Sequence, residues 1–113
     1  MNVQGVVAPL RLTVITDGGP EREITGGYAS DLLSCVLGKA QPGNVWVTLQ
    51  AHPNVVAVAS MLDLAAVIVT EGVEPTVETV NRAREQGIAL LSSEETTFAV
   101  VSKLAALGIG AGG

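Results

Sequence analysis

The sequence predicts an α/β domain, a three-layer α/β/α sandwich around a mainly parallel sheet of about five strands. Three observations predict it. From residue 45 onward, short strand-like runs alternate with helical segments in consecutive strand–helix units. The runs at 45–49 and 66–69 are apolar along most of their length rather than at every second position, as in strands covered on both faces. Proline and glycine stand where helices would begin and end, at Pro53, Pro75 and Gly87.

From the amino end, Val3, Val6, Val7 and Leu10 recur at helical spacing and predict a short first helix. Residues 12–16 alternate and are β-branched, which predicts a strand, and Asp17-Gly18-Gly19-Pro20 is a turn. Residues 23–28 read as a second short strand ending in the double glycine. Ser30 is the expected N-cap of a helix reaching about Lys39, with Asp31 in its first turn, and Gln41-Pro42-Gly43-Asn44 breaks that helix. A strand at 45–49 precedes a helix that Pro53 opens and that reaches Leu62. The strand at 66–69 precedes a helix opened by Pro75 and closed by Gly87. The last strand spans 89–91. Ser92 and Glu95 have capping-box spacing before a final helix whose apolar stripe is Phe98, Val101 and Leu104. Residues 1–107 are thus expected to form one domain, and 108–113 a flexible Gly-rich tail.

A chain of 113 residues suits a single core. Hydrophobic residues make up 48% and charged residues 15%, against a globular average of ~25% charged. That apolar surplus predicts a subunit interface, and a homodimer is the expected assembly. The longest apolar stretches, 55–61 and 64–69, fall far short of the ~20 residues that span a bilayer. Net charge is −5 with no basic run, which argues against nucleic acid and against a polybasic membrane patch. The lone Cys35 has no disulfide partner within the chain and is expected in the core. Residues 2–10 lack the basic and apolar regions of a signal peptide, so a cytoplasmic location is expected.

Ligands of open α/β sheets sit at the carboxyl ends of the strands. The polar residues expected there form four groups. The first is Thr25, Gly26, Gly27, Tyr28, Ser30 and Asp31, and the second is Thr48, Gln50, His52 and Asn54. The third is Thr70, Glu71 and Gly72, and the fourth Ser92 and Ser93, followed by Glu94 and Glu95. Helix capping is the ordinary work of such residues. Gln50, His52 and Asn54 stand out because they alternate and point the same way until Pro53 turns the chain.

Several chemistries are excluded. A phosphate-binding P-loop is absent: Ala40 follows Gly38-Lys39, and Leu33 stands where its first glycine belongs. A G-x-G-x-x-G at Gly108 to Gly113 has no helix behind it. A nucleophile–base pair needs His52, the only histidine, with Ser92, Ser93 or Glu71. One Cys and one His do not make a zinc site, and Glu71, Glu74, Glu94 and Glu95 lack calcium-loop spacing, so neither metal nor cofactor is expected. Helix N–H groups after Gly26-Gly27 favour anions. The same rim lacks Lys and Arg and carries Asp31, so a nucleoside monophosphate or a neutral polar ligand fits better than a bare polyphosphate.

The stretches TGGYASDLLS, NVWVTLQAHPNVVAVASMLDLAAVIVTEG and GIALLSSEETTF resemble the DRTGG domain family, over about residues 1–107. The naming motif is loose: Glu21-Arg22 is separated from Thr25-Gly26-Gly27 by two residues, with Glu in place of Asp. The family is similar to the N-terminal domain of HPr kinase/phosphorylase and also occurs in some phosphate acetyltransferases and between the CBS domains of certain pyrophosphatases. The resemblance implies an accessory module that pairs as a dimer beside domains sensing adenine nucleotides or metabolites, with no kinase chemistry of its own.

The expected function is therefore a non-catalytic, homodimeric regulatory module. It would bind a small metabolite, an adenine nucleotide first, or a protein partner through the carboxyl-end loops. The alternatives are a pure dimerisation or scaffolding domain without ligand, and a small hydrolase-type enzyme using His52.

Overall fold

The chain alternates ten short elements: α1 (Val3–Leu10), β1 (Thr13–Thr16), β2 (Gly26–Ala29), α2 (Leu33–Lys39), β3 (Asn44–Thr48), α3 (Asn54–Met61), β4 (Ala66–Val69), α4 (Val77–Gln86), β5 (Leu90–Ser92) and α5 (Thr97–Ala106). The computed structural model describes residues 1–111. The sheet order is β1-β5-β4-β3-β2, with β2 to β5 parallel and β1 antiparallel to β5. From β2 to β5 the chain steps across the sheet in one direction. Crossovers of one hand then put α2, α3 and α4 on the same face, while α1 and α5 cover the other.

The buried side chains record this division. Val45, Val47, Ala66, Ile68 and Leu91 pack with Val3, Val6 and Leu10 of α1 and Val100 and Leu104 of α5. Their strand neighbours Trp46, Val67, Val69 and Leu90 pack with Val36, Val55, Val56, Ala59 and Ala83 from α2, α3 and α4. β3 and β4 are buried at every position, which is why their sequences do not alternate.

The connection from β1 to β2 must travel from one edge of the sheet to the other, and it does so along the amino ends of the parallel strands. Gly18 lies against the backbone of Gly87, Ile88 and Ala89, where β5 begins. Arg22 donates to both carboxylate oxygens of Asp63 (3.0 and 3.1 Å) and to its carbonyl (3.0 Å), at the turn before β4. Thr25 donates its N–H to Gly43 (3.0 Å) and its hydroxyl to Pro42 (2.9 Å), at the turn before β3. Residues 17–25 are thus a strap fastened in turn to three α–β connections.

The Arg22 hydrogen bond, reinforced by its charge, holds the Asp63 carboxyl below its ordinary value of 3.8. Folding lowers this pKa, so the unfolded chain takes up the proton more readily. The pair therefore stabilises the fold at neutral pH, and that contribution is lost as pH falls below about 3.8 and through the folded-state value. In urea denaturation, Asp63→Asn should be less stable than wild type at pH 7, with the gap narrowing as pH falls below about 3.8. A gap independent of pH would contradict the pairing. Asparagine tolerates the left-handed backbone of residue 63 (φ 57°), so the comparison isolates the charge.

Several local expectations are corrected. β2 begins with Gly26-Gly27 instead of ending there, because residues 23–25 belong to the strap. α4 starts at Val77, after an N-cap at Thr76 whose side chain accepts from Thr79 N–H, and ends on Gly87 at φ 68°. α5 buries Val100 and Leu104, while Phe98 is 85% and Val101 39% exposed, because this helix presents only the Val100–Leu104 line to the sheet. Cys35 is half-buried: α2 is short and buries only Val36. At the head of the expected tail, Ile109 is buried in the core and Gly110 accepts from Gly27 N–H (2.8 Å). Gly112 and Gly113 lie outside the described residues. No helix among the described residues is long and apolar enough to cross a membrane.

Candidate functional site

Parallel strands bring their carboxyl ends to one rim, and the antiparallel β1 contributes its first residue there, since Thr13 pairs with Ser92. Two groups of polar residues occupy this rim.

The first group follows β2 and β3. Asp31 Oδ1 accepts from the Thr48 hydroxyl (2.9 Å) and from Leu49 N–H (2.7 Å), and Gln50 Nε2 donates to the Asp31 carbonyl (3.0 Å). Thr48 Oγ1 also accepts from Gln50 N–H (3.0 Å). The Ser30 carbonyl accepts from Trp46 Nε1 (2.8 Å), and its hydroxyl oxygen accepts from Leu32 N–H (3.1 Å). Neither Ser30 nor Asp31 caps α2, whose N-cap is Leu32 without a side-chain bond. Both are held toward β3, where Asp31 satisfies the donors left at that strand's end. Beyond them, His52 is exposed and its Nδ1 accepts from Asn54 N–H (3.1 Å), just after Pro53, the N-cap of α3.

The second group follows β4 and β5. Glu71 and Gly72 adopt left-handed backbones (φ 62° and 70°). For a glutamate that conformation is uncommon, and the surrounding bonds hold it. Glu71 N–H donates to the Glu95 carbonyl (2.7 Å), and its carboxylate accepts from Thr97 N–H (3.1 Å) at the start of α5. Gly72 N–H donates to the Ser93 carbonyl (3.0 Å), and the Thr70 and Thr97 hydroxyls share a bond (2.7 Å). Ser93 Oγ accepts from Glu95 N–H (3.0 Å). The expected Ser92–Glu95 capping box does not form. Thr96 caps α5, and Glu95 pairs with Lys103 (2.6 Å), leaving its other oxygen buried without a partner. Beside this network a cleft of about 340 Å³ opens between residues 72–75, 92–94 and the start of β1.

Part of the expected site lies elsewhere. Thr25 and Gly26 sit at the opposite end of the sheet, beside the turn into β3, and Tyr28 packs against the α2–α4 face. Gly27 lies within β2, its N–H taken by Gly110. Thr13 and Thr97 reach the rim unannounced by the sequence, while Glu74, weighed there only as a metal carboxylate, lines the cleft. Thr13 does so through the antiparallel pairing of β1, which no local pattern signals. His52 follows β3 and Ser92 ends β5, strands separated by β4 and so on the order of 10 Å apart across the sheet. No hydrogen bond joins His52 to Ser92, Ser93 or Glu71 among the described residues. The described residues also hold no group of three or more potential metal ligands.

A family model described as DRTGG domain matches residues 24–107. Among solved structures, the chain is similar to the crystal structure of the CBS and DRTGG domains of the regulatory region of Clostridium perfringens pyrophosphatase, complexed with the activator diadenosine tetraphosphate. The TM-score is 0.73 at 14% identity, over 91% of this chain and 45% of that one. The chain therefore spans less than half of that structure, and at this identity the likeness is one of fold. No curated protein sequence matches the chain.

Proposed function

The chain belongs to the DRTGG domain family, and from that membership we propose that it is a non-catalytic, homodimeric regulatory module. Its carboxyl-end rim receives a small metabolite or a protein partner. The observation that carries this reading is how the rim is built. Its hydrogen bonds run from loop to loop, through Asp31 to Thr48 and Leu49 and through Glu71 to Glu95 and Thr97, so an occupant would act on several helices together. The lone His52, which accepts from Asn54 N–H and lies across β4 from Ser92 and Ser93, argues against a hydrolytic role.

An adenine nucleotide is the first ligand to test, because the similar pyrophosphatase region was crystallised with diadenosine tetraphosphate. The corner formed by Ser30, Asp31, Gln50, His52 and Asn54 is its proposed seat. Asp31 puts a negative charge there, so phosphate would arrive with a divalent cation or beside a basic residue of a partner. A thermal-shift series with AMP, ATP and diadenosine tetraphosphate, with and without Mg²⁺, tests this. A ligand at ~100 times its dissociation constant adds ~2.7 kcal/mol, a rise of roughly ten degrees. A flat series overturns the nucleotide reading.

A second reading, a dimerisation module without ligand, is favoured by α5. Phe98 is exposed on α5, and the partly exposed Val101 of the same helix lines an apolar cleft of about 180 Å³ between α5 and β2 with Val47, Leu104 and Ile109. Light scattering on the same samples decides the dimer: a monomer at micromolar concentration would sink both the dimer and this second reading.

A further inference from the structure

The cleft at the β1 end of the rim lies where α4 packs against β1, with Val80 of α4 and Ile15 of β1 both in its lining. The register of β1 against β5 slips between Val14 and Thr16, a bulge at Ile15. Ile15 lines the cleft with Val73 and Val80, so the floor is apolar. Thr13 and Ser92 add hydroxyls, and Glu74 and Glu94 add carboxylates. The Glu94 carboxylate lies over Gly72, where an added Cβ would meet its Oε2 at 2.9 Å. Neither glutamate belongs to an ion pair among the described residues, and no Lys or Arg lines the cleft.

We propose that this cleft binds a small organic cation, an alkylammonium or guanidinium carried on a short aliphatic stem. The apolar floor receives the stem, and the two carboxylates and the hydroxyl oxygens accept from the cationic head. A volume of about 340 Å³ is at the lower end of the ~300–1,000 Å³ of small-molecule sites. The unpaired acidic wall repels phosphate, so this site is separate from the nucleotide seat at the Asp31 corner and does not depend on it. The apolar floor also separates it from a metal site, which needs oxygen ligands on several sides.

The test is a titration of ¹⁵N-labelled protein with agmatine, which carries an ammonium and a guanidinium on a butyl stem. The expected result is a saturable shift of the Gly72, Val73, Ser92, Ser93 and Glu94 amides. The double variant Glu74→Gln, Glu94→Gln should bind about tenfold more weakly. Both glutamates are exposed, so the variant is expected to fold. The proposal is overturned if the cleft amides do not shift, if the double variant binds equally, or if butanediol or sodium chloride at matched ionic strength gives the same shifts. A failure with agmatine leaves the nucleotide thermal-shift result untouched, so the two readings fail separately.

Discussion

Replacing Trp46 with alanine should cost about 4 kcal/mol. Trp46 is fully buried in the middle of β3, among Val36, Val55 and Val56 from α2 and α3. Its loss removes the largest apolar side chain of that face and leaves a cavity that the short helices cannot close. It also releases the Ser30 carbonyl from the indole N–H (2.8 Å). Domains of this size carry ~5–15 kcal/mol in all, so the variant sits near the edge of folding. Trp46→Phe retains much of the volume and should cost about 1–2 kcal/mol, mainly the hydrogen bond. Urea denaturation followed by circular dichroism measures both, since the only tryptophan is the residue removed. A cost below 1 kcal/mol for the alanine variant would contradict the packing described for this face.

Gly18→Ala has the next largest expected effect, about 3 kcal/mol. A Cβ at residue 18 would lie 2.2 Å from Ala89 N and Ile88 C and 2.5 Å from Gly87 O. These are backbone atoms at the entry to β5, so the clash has no side chain to displace. The strap would have to lift, loosening β1 and the Thr16 hydroxyl that bonds Ile88 O (2.7 Å) and Leu90 N (3.1 Å). Gly19 is the control: its nearest neighbour would be Arg22 Cβ at 3.8 Å, and Gly19→Ala should fall within about 0.5 kcal/mol of wild type. Melting curves of the two variants separate the cases, and equal losses would contradict the docking of residue 18.

The same strap explains what the sequence could and could not disclose. The βαβ units from 44 onward were legible because each is a local pattern: an apolar strand, a polar break and a capped helix. Gly87 closes α4 as its position implied, and Pro53 stands at the start of α3. The Thr25-Gly26-Gly27 stretch was misplaced because its meaning is not local. Its partners, Pro42 and Gly43, come from a turn 17 and more residues later, and strand order decides that they meet. Residues matched to the naming motif, Arg22 and Thr25, therefore fasten the amino end of the sheet, away from the rim. Asp31 beside Ser30 fits a helix start equally well in sequence, and the pull of Leu49 N–H and the Thr48 hydroxyl decides against it. The cap at α5 misled for the same reason: Glu71, 26 residues upstream, takes the N–H of Thr97.

The central claim is that the carboxyl-end rim, and not the strap or the α5 surface, receives the signal. Amide hydrogen exchange with and without diadenosine tetraphosphate and Mg²⁺ tests it most directly. The account predicts slower exchange at residues 30–32 and 49–55 when ligand is present, with residues 18–25 unchanged. Unchanged exchange throughout the rim, or protection confined to α5, would contradict it.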